Sequence, residues 1–209
     1  MPVTETGELA RRIVDTAVEL AEQSSWEAVR LHQVAEALGI GLDKVRRCFR
    51  EKDELIDAWF ERADDAALKL ADSGELVELS PRERLFRLIM AWLDAQEAHR
   101  RVSRQMIQSK LEPGHLHIQI PALIRVSRTV QWMREGAGLQ DAGVMRAVLE
   151  TATTAIYLAA FVSWMGEDTA GSPRTRRLLD GLLAQAEAIM QACTGRMGKA
   201  RETGIPRAL

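Results

Sequence analysis

The feature that most constrains the fold is the spacing of apolar residues, which recur at steps of three and four along most of the chain. The first such segment covers 7–23, where the spacing places four apolar side chains on one face of a helix: Leu9, Ile13, Ala17 and Leu20. No stretch shows the sustained alternation rich in Val, Ile and Thr that strands require, and Tyr occurs once. The sequence therefore predicts an all-α protein.

Two short helical segments follow, near 31–38 and 42–50, separated by a turn. Gly39 stands where a helix commonly ends on a residue with left-handed backbone. In the second segment Val45 and Phe49 are four residues apart and are expected to pack inward. This is the layout of a helix-turn-helix unit, whose second helix enters the major groove of DNA.

The rest of the chain predicts a linking helix over 51–72 and a body of five or six helices. The body begins with a strong start signal, in which Ser80 and Glu83 form a capping box and Pro81 takes the first helical position. A loop or broken helix is expected at 112–121. The helices of the body are expected from 81 to about 100, over 102–111, 122–135 and 143–165, and, capped by Ser172-Pro173, to about 193.

Positive charge is concentrated in the segment that would form the outward helix. Between 42 and 52, five Lys or Arg stand against two carboxylates, a local net charge of +3, whereas the first 60 residues carry eight Lys or Arg against twelve Asp or Glu. Lys44 and Arg47 share a helix face, as do Arg46 and Arg50. A guanidinium there can clamp a phosphate or bind guanine O6 and N7. The alternative is an ordinary solvated surface, but the segregation of charge favours DNA contact.

The bulk composition excludes several classes of protein. The net charge of −2 provides no overall attraction to nucleic acid, so a DNA-binding surface has to be local. Two cysteines, Cys48 and Cys193, and no signal peptide indicate reduced thiols in the cytoplasm. The most apolar run, 151–165, has about fifteen residues, short of the roughly 20 that span a bilayer. We therefore expect a buried helix there and no stable membrane insertion.

The head of the chain, 10–60, resembles the TetR family of bacterial transcription regulators. Trp26 follows the apolar first helix, and "VAEALGI" stands where the family usually has Ile-Ala-x-x-Ala-Gly-Val. Phe49, Lys52 and Leu55 match the family's Phe-x-x-Lys-x-x-Leu ending. The resemblance implies a helix-turn-helix DNA-binding domain over 1–55 and a helical ligand-binding and dimerisation domain over 56–195. The glycine-containing segment 196–209 is expected to be a mobile tail.

This head departs from the family's pattern at several positions. Arg30 stands where a capping Thr or Ser is usual, Gly41 replaces Ser, and Lys44 and Arg46 replace Thr and Tyr. Asp43 replaces the usual Gly; it suits a helix N-terminus, and the alternative is a contact with a cytosine amino group. Residues expected to contact DNA, at the bases or the backbone, are Arg30, His32, Gly41, Leu42, Lys44, Arg46, Arg47 and Lys52.

The resemblance also implies a small apolar ligand and a homodimer that binds a double-stranded DNA operator, with the ligand releasing a repressor from it. Met and Trp suit adaptable apolar pockets, although plain core packing explains any one of these residues as well. Helices over 143–165 and 174–193 are expected to form the subunit interface. The expected pocket residues are Met90, Met106, Trp132, Met133, Tyr157 and Phe161.

A second resemblance provides the alternative function. The stretches "AWFERADDAAL" and "AIYLAAFVSWMGEDTAGSPRTRRLLDGLL" are similar to the lipid-binding proteins of ubiquinone biosynthesis, which share the TetR fold without binding DNA. Their resemblance implies a lipid or isoprenoid carrier.

Enzymatic and metal-binding functions have little support in the sequence. There is no Gly-x-Ser-x-Gly elbow, no phosphate-binding glycine loop and no nucleophile paired with a base, so no catalytic residue is expected. Glu112, His115 and His117 could suggest a metal site, but no third His or Cys is nearby. We expect no metal, no cofactor and no enzyme activity.

Overall fold

The computed structural model describes residues 3–110, 116–139 and 143–202, and within these ranges the chain is helical with no strand. The all-α prediction is therefore confirmed. The helices are α1 (Val3–Gln23), α2 (Leu31–Ala37), α3 (Leu42–Cys48), α4 (Asp53–Asp72), α5 (Pro81–Asp94), a 3-10 helix (Glu97–His99), α6 (Arg100–Lys110), α7 (Leu116–Gly136), α8 (Gly143–Met165) and α9 (Pro173–Glu202).

Helices α1, α2 and α3 pack against one another as a small head. Its core consists of side chains that the sequence pattern places inward, including Ile13, Ala17, Val34 and Val45, all fully buried. Burying such side chains is the main stabilising contribution that a unit this small has available. The two short helices α2 and α3 are therefore held to α1 and to each other by a shared apolar core.

The turn between α2 and α3 is built as the sequence predicts. Gly39 has φ +63°, and its N–H donates to the carbonyl of Glu36 at 3.0 Å. The next N–H, that of Ile40, donates to the carbonyl of Ala35 at 3.0 Å, which completes a Schellman motif. The left-handed residue thus ends α2 and directs the chain into α3.

We expect Gly39→Ala to lower the free energy of unfolding by about 1 kcal/mol, because a side chain is strained at this φ. A Cβ at position 39 would meet no atom within 4 Å, so the backbone alone accounts for the cost. Gly7 in α1 has equally open surroundings without a positive φ. Urea unfolding should show Gly7→Ala to be neutral or slightly stabilising, and equal effects of the two substitutions would contradict this account.

Helix α4 joins the head to the body without a break. Leu55, Ile56 and Trp59 in its first half are buried, and the guanidinium of Arg62 binds the carboxylate of Asp15 and the carbonyl of Arg11 in α1. The expected boundary between residues 55 and 56 lies inside the first turn of α4. The division into two domains there remains a proposal.

In the body, α5 packs against α4, α7, α8 and α9. The start signal is confirmed: the Ser80 hydroxyl accepts from the N–H of Glu83 at 3.3 Å, and the Glu83 carboxylate accepts from the N–H of Ser80 at 2.9 Å. The Ser80 hydroxyl also donates to the Glu83 carboxylate at 2.7 Å, and this bond together with the one from the Ser80 N–H lowers the pKa of Glu83. Ile89, Trp92 and Leu93 of α5 are buried at the centre of the body.

Several helix ends differ from the sequence prediction. The helix expected up to residue 100 ends at Asp94, and a 3-10 turn leads directly into α6. Helix α7 begins at Leu116 rather than 122 and continues through Pro121, although an interior proline removes a backbone donor and disfavours a helix. Helix α9 continues to Glu202, well into the expected tail. Residues 111–115 and 203–209, with the rest of those two predictions, lie outside the described residues.

Helix α8 has the bounds that the sequence predicts, but its apolar stretch is longer than the run 151–165. The stretch Met145–Met165 is long and apolar enough to cross a membrane by length and composition. Its mean hydropathy is 1.3, and 28% of the stretch is buried inside the protein. Tyr157, Phe161 and Trp164 of this helix are buried within the body. Val148, Leu158 and Val162 lie on another face and are exposed. The helix therefore contributes one face to the core and leaves a second apolar face open.

Candidate functional site

Helix α3 presents a basic surface that is held in place by two buried side chains. Val45 and Phe49 are buried against the head, whereas Lys44, Arg46 and Arg47 are exposed. Arg50 is also exposed but follows the helix, because α3 ends at Cys48 with Phe49 in extended backbone. We call Lys44, Arg46, Arg47 and Arg50 the basic surface.

Asp43 lies in the first turn of α3 and contacts this surface. Its carboxylate pairs with the guanidinium of Arg47 at 3.1 Å, and both side chains are mostly exposed. Exposed pairs of this kind contribute little to stability. The carboxylate also favours the positive end of the helix, in line with the role that the sequence predicts for it. Arg47 can therefore exchange Asp43 for another anion at small cost.

The start of α2 is capped without the usual hydroxyl. Gln33 Oε1 accepts from the N–H of Arg30 at 2.9 Å, which is the reciprocal half of a capping box. The Arg30 guanidinium turns back and donates to the carbonyls of Val29, at 3.2 Å, and of Glu27. Arg30 is exposed on the head, and its guanidinium is bound to carbonyls of the loop between α1 and α2.

Lys52 has a structural environment that the sequence did not predict. Its ammonium group donates to the carbonyl of Trp26 and, at 3.3 Å, to that of Glu27, and it lies 4.9 Å from the centre of the Trp26 ring. Desolvation by burial and the nearby Arg30 lower the pKa of Lys52. Lys52 therefore fastens the loop between α1 and α2 to the start of α4. Its expected contact with DNA phosphate stays a prediction.

We expect Lys52→Met to lower the free energy of unfolding by about 1–2 kcal/mol, because the loop carbonyls lose a charged donor. Lys44→Met is the matched control: Lys44 is exposed, and its effect should stay within about 0.5 kcal/mol. Urea unfolding followed by circular dichroism measures both. Equal stability of the two variants would show that the Lys52 contacts contribute nothing.

The remaining residues expected to contact DNA are also exposed. His32 is exposed on α2, and Gly41 and Leu42 are exposed at the start of α3. Gly41 has extended backbone, and a Cβ there would approach the Asp43 carboxylate to 2.3 Å. A side chain at position 41 would thus displace Asp43.

The head contacts the body through α6. The Arg101 guanidinium donates to the carbonyls of Ala21, at 3.0 Å, and Ser24, at 3.3 Å, at the end of α1. Gln105 Oε1 accepts from the N–H of Trp26 at 2.7 Å. The same helix reaches the interior of the body with Ile107 and Lys110. Helix α6 therefore touches both the helix-turn-helix head and the body interior.

A cavity of about 450 Å³ lies in the body between α4, α6, α7 and α8. This volume is within the range of small-molecule pockets. Phe60, Trp92, Tyr157 and Phe161 form an aromatic wall, in which the rings of Tyr157 and Phe161 meet Trp92 edge-on. Burial raises the pKa of Tyr157 well above its ordinary value, so this phenol stays neutral. Further apolar lining comes from Ile56, Ile107, Val126, Leu158, Val162 and Met165.

Three charged side chains complete the cavity wall. The Lys110 ammonium pairs with the Asp57 carboxylate at 3.0 Å, and the Arg125 guanidinium lies 3.7 Å from the same carboxylate. Asp64 lies behind them, where its Oδ1 accepts from Trp92 Nε1 at 2.7 Å and from the Thr129 hydroxyl at 2.9 Å. This cluster could not be predicted from the sequence, because its members come from three separate helices.

The structure brings only part of the expected pocket together. Tyr157 and Phe161 line the cavity, whereas Met90 and Met106 are buried in the core and do not line it. Met133 lines a much smaller depression of about 10 Å³, together with Trp132, which is 56% exposed. Trp92 lines both the cavity and the depression, and its neighbours on α4 and α8 are aromatic as well. It is therefore a better indicator of the pocket than Trp132.

Among the residues that the structure describes, no group of three or more His, Cys, Asp or Glu could hold a metal ion. Glu112 and His115 lie outside that part of the chain, and the side chain of His117 is not described either. The possible metal site at these residues is therefore not tested by the structure.

The three-helix head with its basic outward helix, set on a helical body, defines the class of helix-turn-helix DNA-binding proteins. The structure is similar to the crystal structure of the TetR transcriptional regulator from Nitrosomonas europaea ATCC 19718, with a TM-score of 0.77 and 51% sequence identity over 86% of this chain and 98% of that one. The chain therefore belongs to the TetR family of transcriptional regulators.

Two other similar structures support the fold alone. A TetR transcriptional regulator from Rhodococcus sp. RHA1 has a TM-score of 0.62 and 22% identity, over 85% of this chain and 97% of that one. A regulatory protein in the tetR family, from Rhodococcus RHA1, has a TM-score of 0.50 and 17% identity, over 84% and 95%. No model of a known protein family and no curated protein matches the sequence. The similar structure at 51% identity is described as a transcriptional regulator, so the lipid-carrier alternative is not favoured.

Proposed function

We propose that the protein is a homodimeric, cytoplasmic repressor, without enzymatic activity, that binds a DNA operator and leaves it when a small ligand occupies the body. The observation that carries the proposal is the basic surface. Four cations stand outward on or next to α3, and the buried Val45 and Phe49 fix the direction in which they point. Such a helix can enter the major groove and place guanidinium groups against bases and phosphates.

The open apolar face of the last two helices supports the dimer. Large apolar side chains are exposed on both, and the two helices pack closely against each other. Exposed apolar surface of this kind is typical of an interaction surface, and a two-fold axis there would present both heads to adjacent half-sites. The exposed residues are Val148, Leu158 and Val162 on α8 and Leu178 and Ile189 on α9.

Val148→Glu should weaken self-association by about tenfold or more, because a carboxylate would be buried without a partner in the interface. Val77→Glu introduces the same charge at an equally exposed valine that lies outside α8 and α9. Sedimentation equilibrium at several protein concentrations measures both. An undiminished association of Val148→Glu would place the dimer interface elsewhere.

Helix α6 supplies a route from the ligand to the DNA. It borders the cavity with Ile107 and Lys110 and contacts the end of α1 through Arg101 and Gln105. A ligand that fits one position of α6 better than another would shift the population between two head arrangements. The arrangement that fits the operator poorly would then release the DNA.

The test is an electrophoretic mobility shift with DNA that flanks the protein's own gene, compared with unrelated DNA of the same length. Specific binding that weakens steeply as the salt is raised from about 50 to 200 mM supports the proposal. Absence of binding at the lowest salt, together with lipid that co-purifies with the protein, would instead support the lipid carrier.

A further inference from the structure

We propose that the body cavity selects an amphiphile with an anionic head group, which Arg125 and Lys110 bind while the tail lies against the aromatic wall. This inference rests on the proposed ligand-binding role of the body and names the chemical class of the ligand. The first observation is that the charged side chains among the described lining residues are Lys110, Arg125 and Asp57, whereas Asp64 and Glu61, which also lie near Arg125, do not line the cavity.

The position of the charges strengthens this point. The side chains of Lys110 and Arg125 are only 11% and 22% exposed, whereas that of Asp57 is 47% exposed. The cations are thus the more deeply placed members of the cluster. Burying a cation beside an apolar wall costs free energy unless a counter-ion accompanies it. Lys110 already has Asp57 at 3.0 Å, whereas Arg125 has carboxylates only at 3.5 Å or more, so an anion on the cavity side would complete the pairing of Arg125.

Among the described residues, no carboxylate is closely bonded to Arg125. Its guanidinium lies 3.5 Å from Asp64, 3.7 Å from Asp57 and 3.9 Å from Glu61. A charge-assisted hydrogen bond between such groups is normally about 2.7–2.9 Å long. Asp64 has little capacity to approach, because its Oδ1 already accepts from Trp92 and Thr129. The planar guanidinium therefore retains donors for a bidentate contact with a ligand carboxylate.

The remainder of the cavity fits an apolar tail. Phe60, Trp92 and Phe161 lie beyond the charged cluster, and aliphatic side chains complete the lining. In pockets of this kind the apolar surface supplies most of the affinity, and a few polar groups fix the orientation. The ligand class that satisfies both ends is a carboxylic acid with a long apolar chain.

The probes are dodecanoate, dodecanol and dodecylamine, which share one chain and differ in head group, titrated below their aggregation concentrations into the full chain by calorimetry. We expect dodecanoate to bind about tenfold or more tightly than dodecanol, because only the acid gains charge-assisted hydrogen bonds. Equal affinity for acid and alcohol, or tighter binding of the amine, would overturn the anionic head group. Failure of all three to bind would overturn the amphiphile itself.

Arg125→Met should remove the preference for dodecanoate and leave the affinity for dodecanol within about twofold. Arg128→Met is the control, since Arg128 is exposed on the same helix and does not line the cavity. Thermal unfolding of both variants separates a binding role from a structural one. If Arg125→Met lowered the unfolding temperature but kept the preference, the ion cluster would be structural and the inference wrong.

The DNA assay keeps this inference distinguishable from the proposed function. If the protein bound dodecanoate preferentially but bound no DNA, the anion site would be supported and the proposed repressor function would be contradicted. Specific DNA binding without head-group preference would do the reverse.

Discussion

Replacing Arg46 and Arg47 together by alanine should lower operator affinity by about a hundredfold at moderate salt. Both side chains are exposed on α3, and the buried Val45 next to them keeps the helix in place when they are shortened. Each contact of this type contributes about 1–3 kcal/mol, which for two contacts corresponds to about 1.5 to 4 orders of magnitude in affinity. Fluorescence anisotropy with labelled DNA from the gene's own upstream region measures the change.

The salt dependence of the same variant distinguishes base contacts from phosphate contacts. Loss of two phosphate contacts should reduce the slope of log affinity against log salt by about 2. Loss of base contacts should instead leave the slope nearly unchanged and reduce discrimination between operator and unrelated DNA. The sequence left this question open for the basic surface, and a single titration series answers it.

The matched control is Lys69→Ala/Arg87→Ala, which removes the same charge from exposed positions on α4 and α5 of the body. It should bind the operator within about twofold of the unmodified protein if the contacts are local. Equal losses in both double variants would mean that overall charge, and not the basic surface, determines affinity.

The parts of the fold that could be predicted from the sequence are those determined by local chemistry. Gly39 ends α2 because its left-handed backbone suits few other residues, and Ser80 with Glu83 begins α5 through a capping box. The apolar spacing similarly identifies Val45 and Phe49 as inward-facing. Each signal involves residues within about one helical turn of one another, so no tertiary information is needed to recognise it.

Features that depend on how separate helices meet could not be predicted. Lys52 matches a family motif, but its contact with the Trp26 carbonyl joins positions 26 residues apart. The cavity shows the same limit. Met90 and Met106 have suitable side chains, yet they point into the core, whereas Lys110 of α6 and Arg125 of α7 line the cavity. Residue type restricts what a side chain can do, and packing decides what it meets.

At the start of α9 the sequence identifies the cap position correctly, but a different side chain accepts from the free N–H groups. The sequence places Ser172 at the cap position, and its carbonyl does accept the first helical hydrogen bond, from Arg176, at 2.9 Å. Its hydroxyl, however, accepts from the buried guanidinium of Arg100 at 2.6 Å. Glu167 takes over the capping role, accepting from the N–H groups of Arg174 at 2.8 Å and Thr175 at 2.9 Å. The connection between α8 and α9 is thereby fixed to the start of α6.

Glu167 is held as a carboxylate by this arrangement. Burial by itself raises its pKa, but the hydrogen bonds from Arg174, Thr175 and Thr169 outweigh that effect and lower the pKa to about 2. A folded-state pKa below the unfolded value of roughly 4.3 contributes stability that is fully present above that value. This stability is lost as the pH falls from there toward 2.

Glu167→Ala should therefore lower the free energy of unfolding by about 3 kcal/mol at neutral pH, a drop in melting temperature of roughly 6–12 °C, because the N–H groups of Arg174 and Thr175 and the Thr175 hydroxyl lose their acceptor. Asp168→Ala is the control, since its carboxylate is 86% exposed and its pair with Arg104 should contribute less than about 1 kcal/mol. Thermal unfolding at fixed protein concentration, from pH 7 down to pH 3, tests both the size and the sign. The difference between Glu167→Ala and the unmodified protein should shrink below about pH 4, because the carboxyl then protonates in the unfolded chain first. A difference that stayed constant or grew on acidification would mean that the packing of the Glu167 side chain, and not its ionised carboxylate, stabilises the start of α9.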